Sequence, residues 1–336
     1  MMLQSIMLFL AFIFNNQELD YTKSYYPYIN KAHLYIVEKN YIEAIQSYKT
    51  AFENVPYAHN KDYINAILCA VSVKRNDLVF QWFDSLVVRG ASIESIKNHK
   101  NLWHLVNEDS ARWNRFEANY QNMRKIYESK NKETYKECIE RNTHKIDEMK
   151  EKYNKKHSDC HIFFEEIIKM LANEGFPKEV ISFERSANEP NTVEKDIVTL
   201  SCFDNSTDFN SHKPFLLRLV KFGILSPEDY VEQVDTQHEP HFEFYGSNVL
   251  LYENDKKTRE INYFYPFRNE YATMNIDRER NKIGLPTLEE TRKIILFNEK
   301  WERKKIKWQF NSCKYEISPI KMFKHMYAEI IQIKND

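Results

Sequence analysis

Side chains able to do chemistry are densest between Asp235 and Tyr245, where Asp235, His238, His241, Glu243 and Tyr245 crowd together, with Asp277, Arg278 and Arg280 following at a distance. His238 and His241 beside Glu243 supply the imidazole and carboxylate donors that zinc accepts. Pro240 stands between the histidines and breaks helical geometry, so solvated loop histidines are expected there and no metal. Arg278 and Arg280 carry planar guanidinium groups that match a carboxylate or phosphate through paired hydrogen bonds. With Asp277 they form the candidate ligand set, against the competing account of a structural ion pair with Asp277 or Glu279. His238, Tyr245 and Arg280 are the candidate catalytic set. The chain has no glycine-rich phosphate loop, no GxSxG elbow, no HExxH helix and no paired-cysteine zinc knuckle, so the familiar enzyme classes find no motif and no cofactor is expected. Arg303 to Trp308 mixes Lys, Arg and Trp as a nucleic-acid strip does, but an exposed face whose long stems cover apolar surface explains the same residues.

These residues need a frame to hold them, and composition bounds it. At 336 residues the chain accommodates two domains, and 42% hydrophobic residues suffice for buried cores. Only 5 Gly and 10 Pro leave little material for a turn-rich β fold, so a mainly α protein is expected. Lys plus Arg number 48 against 49 Asp plus Glu, and the resulting net charge of -1 draws neither nucleic acid nor an anionic membrane. The five cysteines, Cys69, Cys138, Cys160, Cys202 and Cys313, are widely spaced and odd in number, which suits buried thiols better than a disulfide framework. The apolar run Ile6 to Phe14 is too short to span a bilayer core of about 30 Å, so no transmembrane span is expected. It reads as a signal-peptide core, a buried first helix or a start-site artefact. The first reading places the protein outside the cytoplasm or in a periplasm, although no Lys or Arg precedes the run.

The most regular spacing lies between Tyr28 and Pro56. Tyr28, Ala32 and Tyr35 fall on one helical face, a break follows at Lys39 and Asn40, and Tyr41, Ala44, Tyr48 and Ala51 make a second face. Small residues let two helices approach while aromatics fill the space between them. The order Ala32, Tyr35, Ala44, Tyr48, Ala51, Pro56 resembles the tetratricopeptide repeat. Its period of about 34 residues carries Ala32 to Ala66, Tyr35 to Cys69, Ala44 to Leu78, Tyr48 to Trp82 and Ala51 to Ser85. A second first helix is then expected from about Lys61 to Val73, with Asn76 and Asp77 capping the next and Gly90 just past its end. Ile93 to Phe116, with Leu102, Leu105, Trp113 and Phe116 as anchors and Asp109 and Ser110 as a start signal, reads as a shortened capping unit. The resemblance implies an inner groove presenting Tyr26, Ile29, His33, Ile36, Asn60, Tyr63 and Ile67 to a polypeptide. Ile29 and His33 stand where some members hold a peptide carboxylate, so that clamp is missing. Packing against the protein's own carboxy-terminal part accounts for the same seven residues.

From Arg115 to about Lys156 the chain is highly charged, with Tyr135, Ile139, Ile146, Met149 and Tyr153 at helical spacing, which suits an amphipathic connecting helix. Beyond it Phe163, Ile167, Ile168 and Leu171 share a helical face. Further helices are expected from about Asn191 to Cys202, from Pro214 to Phe222 with Gly223 closing it, from the capping Ser226 with Pro227 in the first turn, and from Thr287 to Phe297. Phe242, Phe244, Val249 and Leu251, then Ile261, Tyr263 and Tyr265, alternate at period two and suggest two strands joined near Asn254 to Lys257. The segments Gly175 to Pro177, Leu219 to Tyr230, Phe244 to Asn248 and Asp277 to Glu290 together resemble an uncharacterised bacterial domain family frequent in Bacteroidota. This chain departs from that pattern at Ser247-Asn248, where the family has Thr-Gln, at Glu279, where it has a second Arg, and near Val198 to Asp204, where relatives often carry a Gln-His pair.

The sequence therefore divides into an apolar segment (1–20), tetratricopeptide-like repeats (21–116), a charged connecting helix (117–158) and an α-rich carboxy-terminal domain with a small β-hairpin (159–336). It points to a non-enzymatic binding or scaffold protein engaging another protein or peptide. The second reading is a hydrolase-like or anionic-ligand-binding carboxy-terminal domain with the repeats as accessory.

Overall fold

A computed structural model describes residues 20–55, 58–88, 91–98, 109–130, 144, 148, 213–223, 225–236, 245, 249–253, 261–264, 270–302, 308 and 315–319. Within them the protein is mainly helical. The apolar amino-terminal run, His238, His241, Glu243, the expected helices near Ile167 and Asn191, and Cys138, Cys160, Cys202 and Cys313 lie outside the described residues.

Helix α1 (Tyr21–Ser24) starts at Asp20, whose carboxylate accepts the Thr22 amide at 3.0 Å. Helix α2 (Tyr26–Val37) has Pro27 in its first turn, where the missing amide proton costs nothing. It buries Tyr26, Ile29, Ala32, His33 and Ile36 on one face. It stops at Lys39, a non-glycine residue at φ 60, and the Asn40 amide closes the end on the Tyr35 carbonyl at 2.8 Å. Helix α3 (Tyr41–Glu53) then packs back on α2 through Ala44, Tyr48 and Ala51, all 0% exposed.

The turn recurs in the next pair, α4 (Asn60–Ser72) and α5 (Asn76–Val88). Lys74 takes φ 59, and the Arg75 amide reaches the Ala70 carbonyl at 2.9 Å. Lys74 follows Lys39 by one residue more than the expected period, and this corrects the sequence register. Val79, Phe83 and Leu86, at 0%, 1% and 0% exposure, stand where Ala44, Tyr48 and Ala51 do, and Ser85 is only half-buried. Asn76 and Asp77 do not precede the helix as caps. They lie in its first turn, where Asp77 pairs with Arg75 at 2.6 Å and Asn76 donates to Asp109 at 3.3 Å.

Helix α6 (Ile93–Asn98) follows, and α7 (Ser110–Lys130) begins at Asp109, which accepts the Arg112 amide at 3.2 Å. Trp113, Phe116 and Met123 bury one stripe of α7, which packs on α5. This single helix runs through residues 116 and 117, where the sequence reading changes segment. Consecutive helices α2 to α5 thus pack each on the next, and α7 closes on α5.

The carboxy-terminal residues supply α8 (Lys213–Lys221), α9 (Pro227–Thr236), α10 (Glu270–Lys282) and α11 (Leu288–Glu302). Ser226 and Thr287 cap α9 and α11 with reciprocal partners: the Asp229 amide donates to Ser226 Oγ at 3.1 Å, and Glu290 and Thr287 exchange amide–side-chain bonds of 2.8 and 3.2 Å. Helix α10 has no counterpart in the sequence reading, because Asp277 to Lys282 is almost continuously charged and its buried face is carried mainly by Ile276 and Arg280. Three extended segments are described beside the helices, β1 (Val249–Glu253), β2 (Ile261–Phe264) and β3 (Tyr315–Pro319). One buried cluster joins residues of α1 to α5 with residues of α8, α9 and α11.

Candidate functional site

Helices α2 and α4 place a buried polar cluster at their amino-terminal ends. Tyr25, between α1 and α2, donates from its hydroxyl to Asp62 Oδ2 at 2.6 Å and accepts the His59 amide at 2.9 Å. Asp62 lies in the first turn of α4, where a carboxylate meets the positive end of the helix dipole. His33 Nε2 of α2 stands 3.7 Å from Asp62 Oδ1, an ion-pair distance longer than a hydrogen bond. Tyr25, Asp62 and His33 are 0%, 1% and 2% exposed. Burial pushes the Asp62 carboxyl up, but His33, Lys61 and His59 outweigh it and hold it below its ordinary value. Burial and then the neighbouring carboxylate drive the Tyr25 phenol well above its ordinary range. A carboxylate, an imidazole and a phenol in series resemble a proton relay, yet closed off from solvent they act as a clasp between two helix pairs.

Above the clasp lies an aromatic wall. Tyr21, Tyr25, Tyr26 and His59 have ring centroids 5.4 to 6.4 Å apart, with Tyr26 stacked on His59 at 16°. Two turns of the carboxy-terminal residues rest on it. Gly223, just past α8, takes φ 71, and a Cβ there would lie 2.5 Å from the Tyr21 ring. Gly284, just past α10, takes φ 82, and its Cβ would lie 2.8 Å from Tyr26 Cβ. Asn30 Nδ2 donates to the Gly284 carbonyl at 2.7 Å, and the Tyr26 hydroxyl reaches the Leu225 carbonyl at 3.5 Å. Glu228, partly buried in the first turn of α9, is pushed up to about 6 by desolvation, against the pull of Lys61 and Arg280.

The seven groove residues must be read against this arrangement. Tyr26, Ile29, His33, Ile36, Asn60, Tyr63 and Ile67 are 3%, 2%, 2%, 0%, 9%, 7% and 0% exposed. They do not form an open groove; they are core, and the chain's own turns cover the Tyr26 end. Sequence periodicity identifies a helix's apolar face without saying which partner lies on it.

The candidate anion set is dispersed in the same way. Arg280 is fully buried and gives Nε to the Pro286 carbonyl at 2.6 Å, one Nη to the Tyr245 carbonyl at 2.8 Å and the other to Thr291 Oγ1 at 2.7 Å. Asp277 accepts the Leu288 amide at 2.7 Å and so secures the start of α11. Arg278 is exposed and pairs with Glu279 at 3.3 Å. The three side chains of the expected ligand set therefore do not converge. Tyr245 is buried against Tyr230, with centroids 5.7 Å apart. Trp308, from the basic run, is buried and stacked on Tyr41 at 13° rather than displayed. Asp62, Tyr25, Asn30 and Glu228 went unnoticed in the sequence. Only the acidic first turn of α4 hints at Asp62, and polar groups meeting across distant helices leave no periodic trace.

Among the described residues no group of three His, Cys, Asp or Glu side chains is placed to hold a metal ion, and no helix is long and apolar enough to cross a membrane. Comparison with protein-family models, with curated proteins and with solved structures found no match.

Proposed function

We propose that the protein is a non-enzymatic binding or scaffold protein that engages a polypeptide through its helical pairs. In this reading α2–α3 and α4–α5 form a short tetratricopeptide-like array ended by α6 and the start of α7. The carboxy-terminal part, with β1 and β2 as a small hairpin, is a domain of the bacterial type it resembles. The observation that carries the reading is chemical. The start of α2 beside the aromatic wall is fitted to polypeptide main chain, since Asn30 takes the chain's own Gly284 carbonyl at 2.7 Å and Tyr26 faces its own Leu225 carbonyl, and a bound peptide would take the place of these turns. Main-chain carbonyls are what a side chain must grip to hold a peptide whatever its sequence. The competing anion-site reading loses support because its side chains do not converge: Arg280 is buried, Arg278 is exposed and paired with Glu279, and Asp277 caps α11.

A random-peptide display selection on the intact chain tests the proposal. Selected peptides are expected to bind saturably and to lose at least tenfold in affinity on Asn30→Ala. Equal binding by parent and variant, or saturable binding of inorganic phosphate with no peptide selected, would refute it.

A further inference from the structure

We propose that the start of α9 is a pH-sensitive latch, in which the Glu228 carboxyl, set near α4 and α10, lets the turn carrying Gly223 and Leu225 seat on α1 and α2 when protonated and lift from them when ionised. This deepens the reading above by naming a regulation of the same surface; the use of the latch rests on that reading, its existence does not. Two contacts bracket the carboxyl. On one side Leu225, 1% exposed, presents its carbonyl to the Tyr26 hydroxyl at 3.5 Å, and Gly223 lies against the Tyr21 ring. On the other Tyr230, 3% exposed, packs on Tyr245, whose carbonyl takes an Arg280 bond of 2.8 Å. Leu225, Ser226, Pro227, Tyr230 and Val231 around it are all buried, so Glu228 brings a carboxyl group to a mainly apolar seam. Ionising it there costs more than ionising it in water.

The charged groups acting on Glu228 are Lys61 from α4, Arg280 from α10 and Asp229 from its own helix. Desolvation outweighs the pull of both cations, and the carboxyl rises to about 6. Arg280 is fixed by its bonds to Pro286, Tyr245 and Thr291, so it cannot follow the carboxylate out of the seam. The seated turn therefore holds this proton more tightly than the lifted one, where the carboxyl returns to its ordinary 4.5. Seating is strongest below pH 4.5 and weakens as pH rises through 6, by up to about 30-fold in the ratio of seated to lifted turn before solvent screening reduces it. The lifting is local, because α2 with α3 and α4 with α5 pack through Ala44, Ala51, Val79 and Leu86, which carry no titrating group. A lifted turn uncovers Tyr21 and Tyr26, so peptide capture should improve towards neutral pH.

Amide exchange on the intact chain, at about pH 5 and about pH 7 and corrected for the intrinsic pH dependence of exchange, tests the inference. The Leu225 and Tyr230 amides bond to the Leu219 and Ser226 carbonyls, and the Ala44 and Val79 amides to those of Asn40 and Arg75. In the parent the first two should lose protection by about ten- to thirtyfold on going to the higher pH, while the last two keep theirs. Glu228→Gln, which has no carboxyl to titrate, should keep protection equal at both pH values. Lys61→Gln removes a cation that favours the ionised form and should move the midpoint of the loss to higher pH. Protection unchanged in the parent, a loss that Glu228→Gln reproduces, or a loss spread equally over Ala44 and Val79 would overturn the inference. If Glu228→Gln does not fold, Lys61→Gln decides, and a midpoint that stays or moves down overturns it. A pH-dependent loss in a chain that selects no peptide would uphold the latch and sink only the proposed function. Peptide captured by a chain whose protection is the same at both pH values would sink the latch and leave the proposed function standing.

Discussion

Replacing Arg280 by Ala separates a structural arginine from a ligand-binding one. The guanidinium makes three hydrogen bonds of 2.6 to 2.8 Å, two of them to the carbonyls of Pro286 and Tyr245, and the residue is fully buried. Hydrogen bonds to charged groups contribute about 1.5 to 3 kcal/mol each, and a buried acceptor left unpaired costs about 1 to 3 kcal/mol. Against this, removing a buried cation recovers part of its desolvation cost, which offsets a sizeable fraction of the loss. The net destabilisation expected is about 3 kcal/mol. Arg280→Lys should recover only part of it, because an ammonium on a flexible stem cannot span three acceptors held in a fork. The Arg280 bonds also fix the turn that delivers Gly284 to Asn30, so the variant should loosen the contact with α2. Urea denaturation followed by circular dichroism measures the first effect, and amide exchange across Tyr26–Val37 measures the second. A denaturation midpoint for Arg280→Ala equal to the parent's would refute the argument and return Arg280 to the list of ligand-binding residues.

Three further outcomes follow from the same geometry. Ala44→Leu at the fully buried contact of α2 with α3 should cost roughly 1 to 3 kcal/mol through overpacking, and an unchanged melting temperature would show that the two helices do not meet there. Lys39→Gly should stabilise by about 0.5 to 1 kcal/mol, since Lys39 is held at φ 60, where a side chain is strained; thermal melts of single and double Lys39, Lys74 variants should show additive gains. Glu228 is raised to about 6 from an ordinary 4.5, so the folded chain holds this proton more tightly than the unfolded one. Its contribution is fully present below pH 4.5 and is lost as pH rises through 6, by up to about 2 kcal/mol before solvent screening of this partly exposed group reduces it. Glu228→Gln should flatten that slope in denaturation curves taken from pH 4 to 7, and an unchanged slope would place the titration elsewhere.

The sequence by itself determined the local elements. Apolar faces at helical spacing set α2 to α5, Pro227 marked a helix start, Ser226 supplied a cap and Gly223 marked a helix end, because each of these is a short-range property of the backbone. Two local features escaped it. A lysine at φ 60 carries no composition signal, so the extra residue before Asn76 went unread and shifted the second register by one. In α10 a buried arginine takes part of the place that an apolar residue usually holds, so the helical period vanished. Tertiary structure alone decided what each face touches. Tyr26 looks like a groove residue until the turns at Gly223 and Gly284 arrive from some two hundred residues away, and Arg280 looks like an anion ligand until the carbonyls of Tyr245 and Pro286 close around it. Periodicity records that a side chain leaves water, whereas its partner is chosen by long-range packing that no short stretch of sequence encodes.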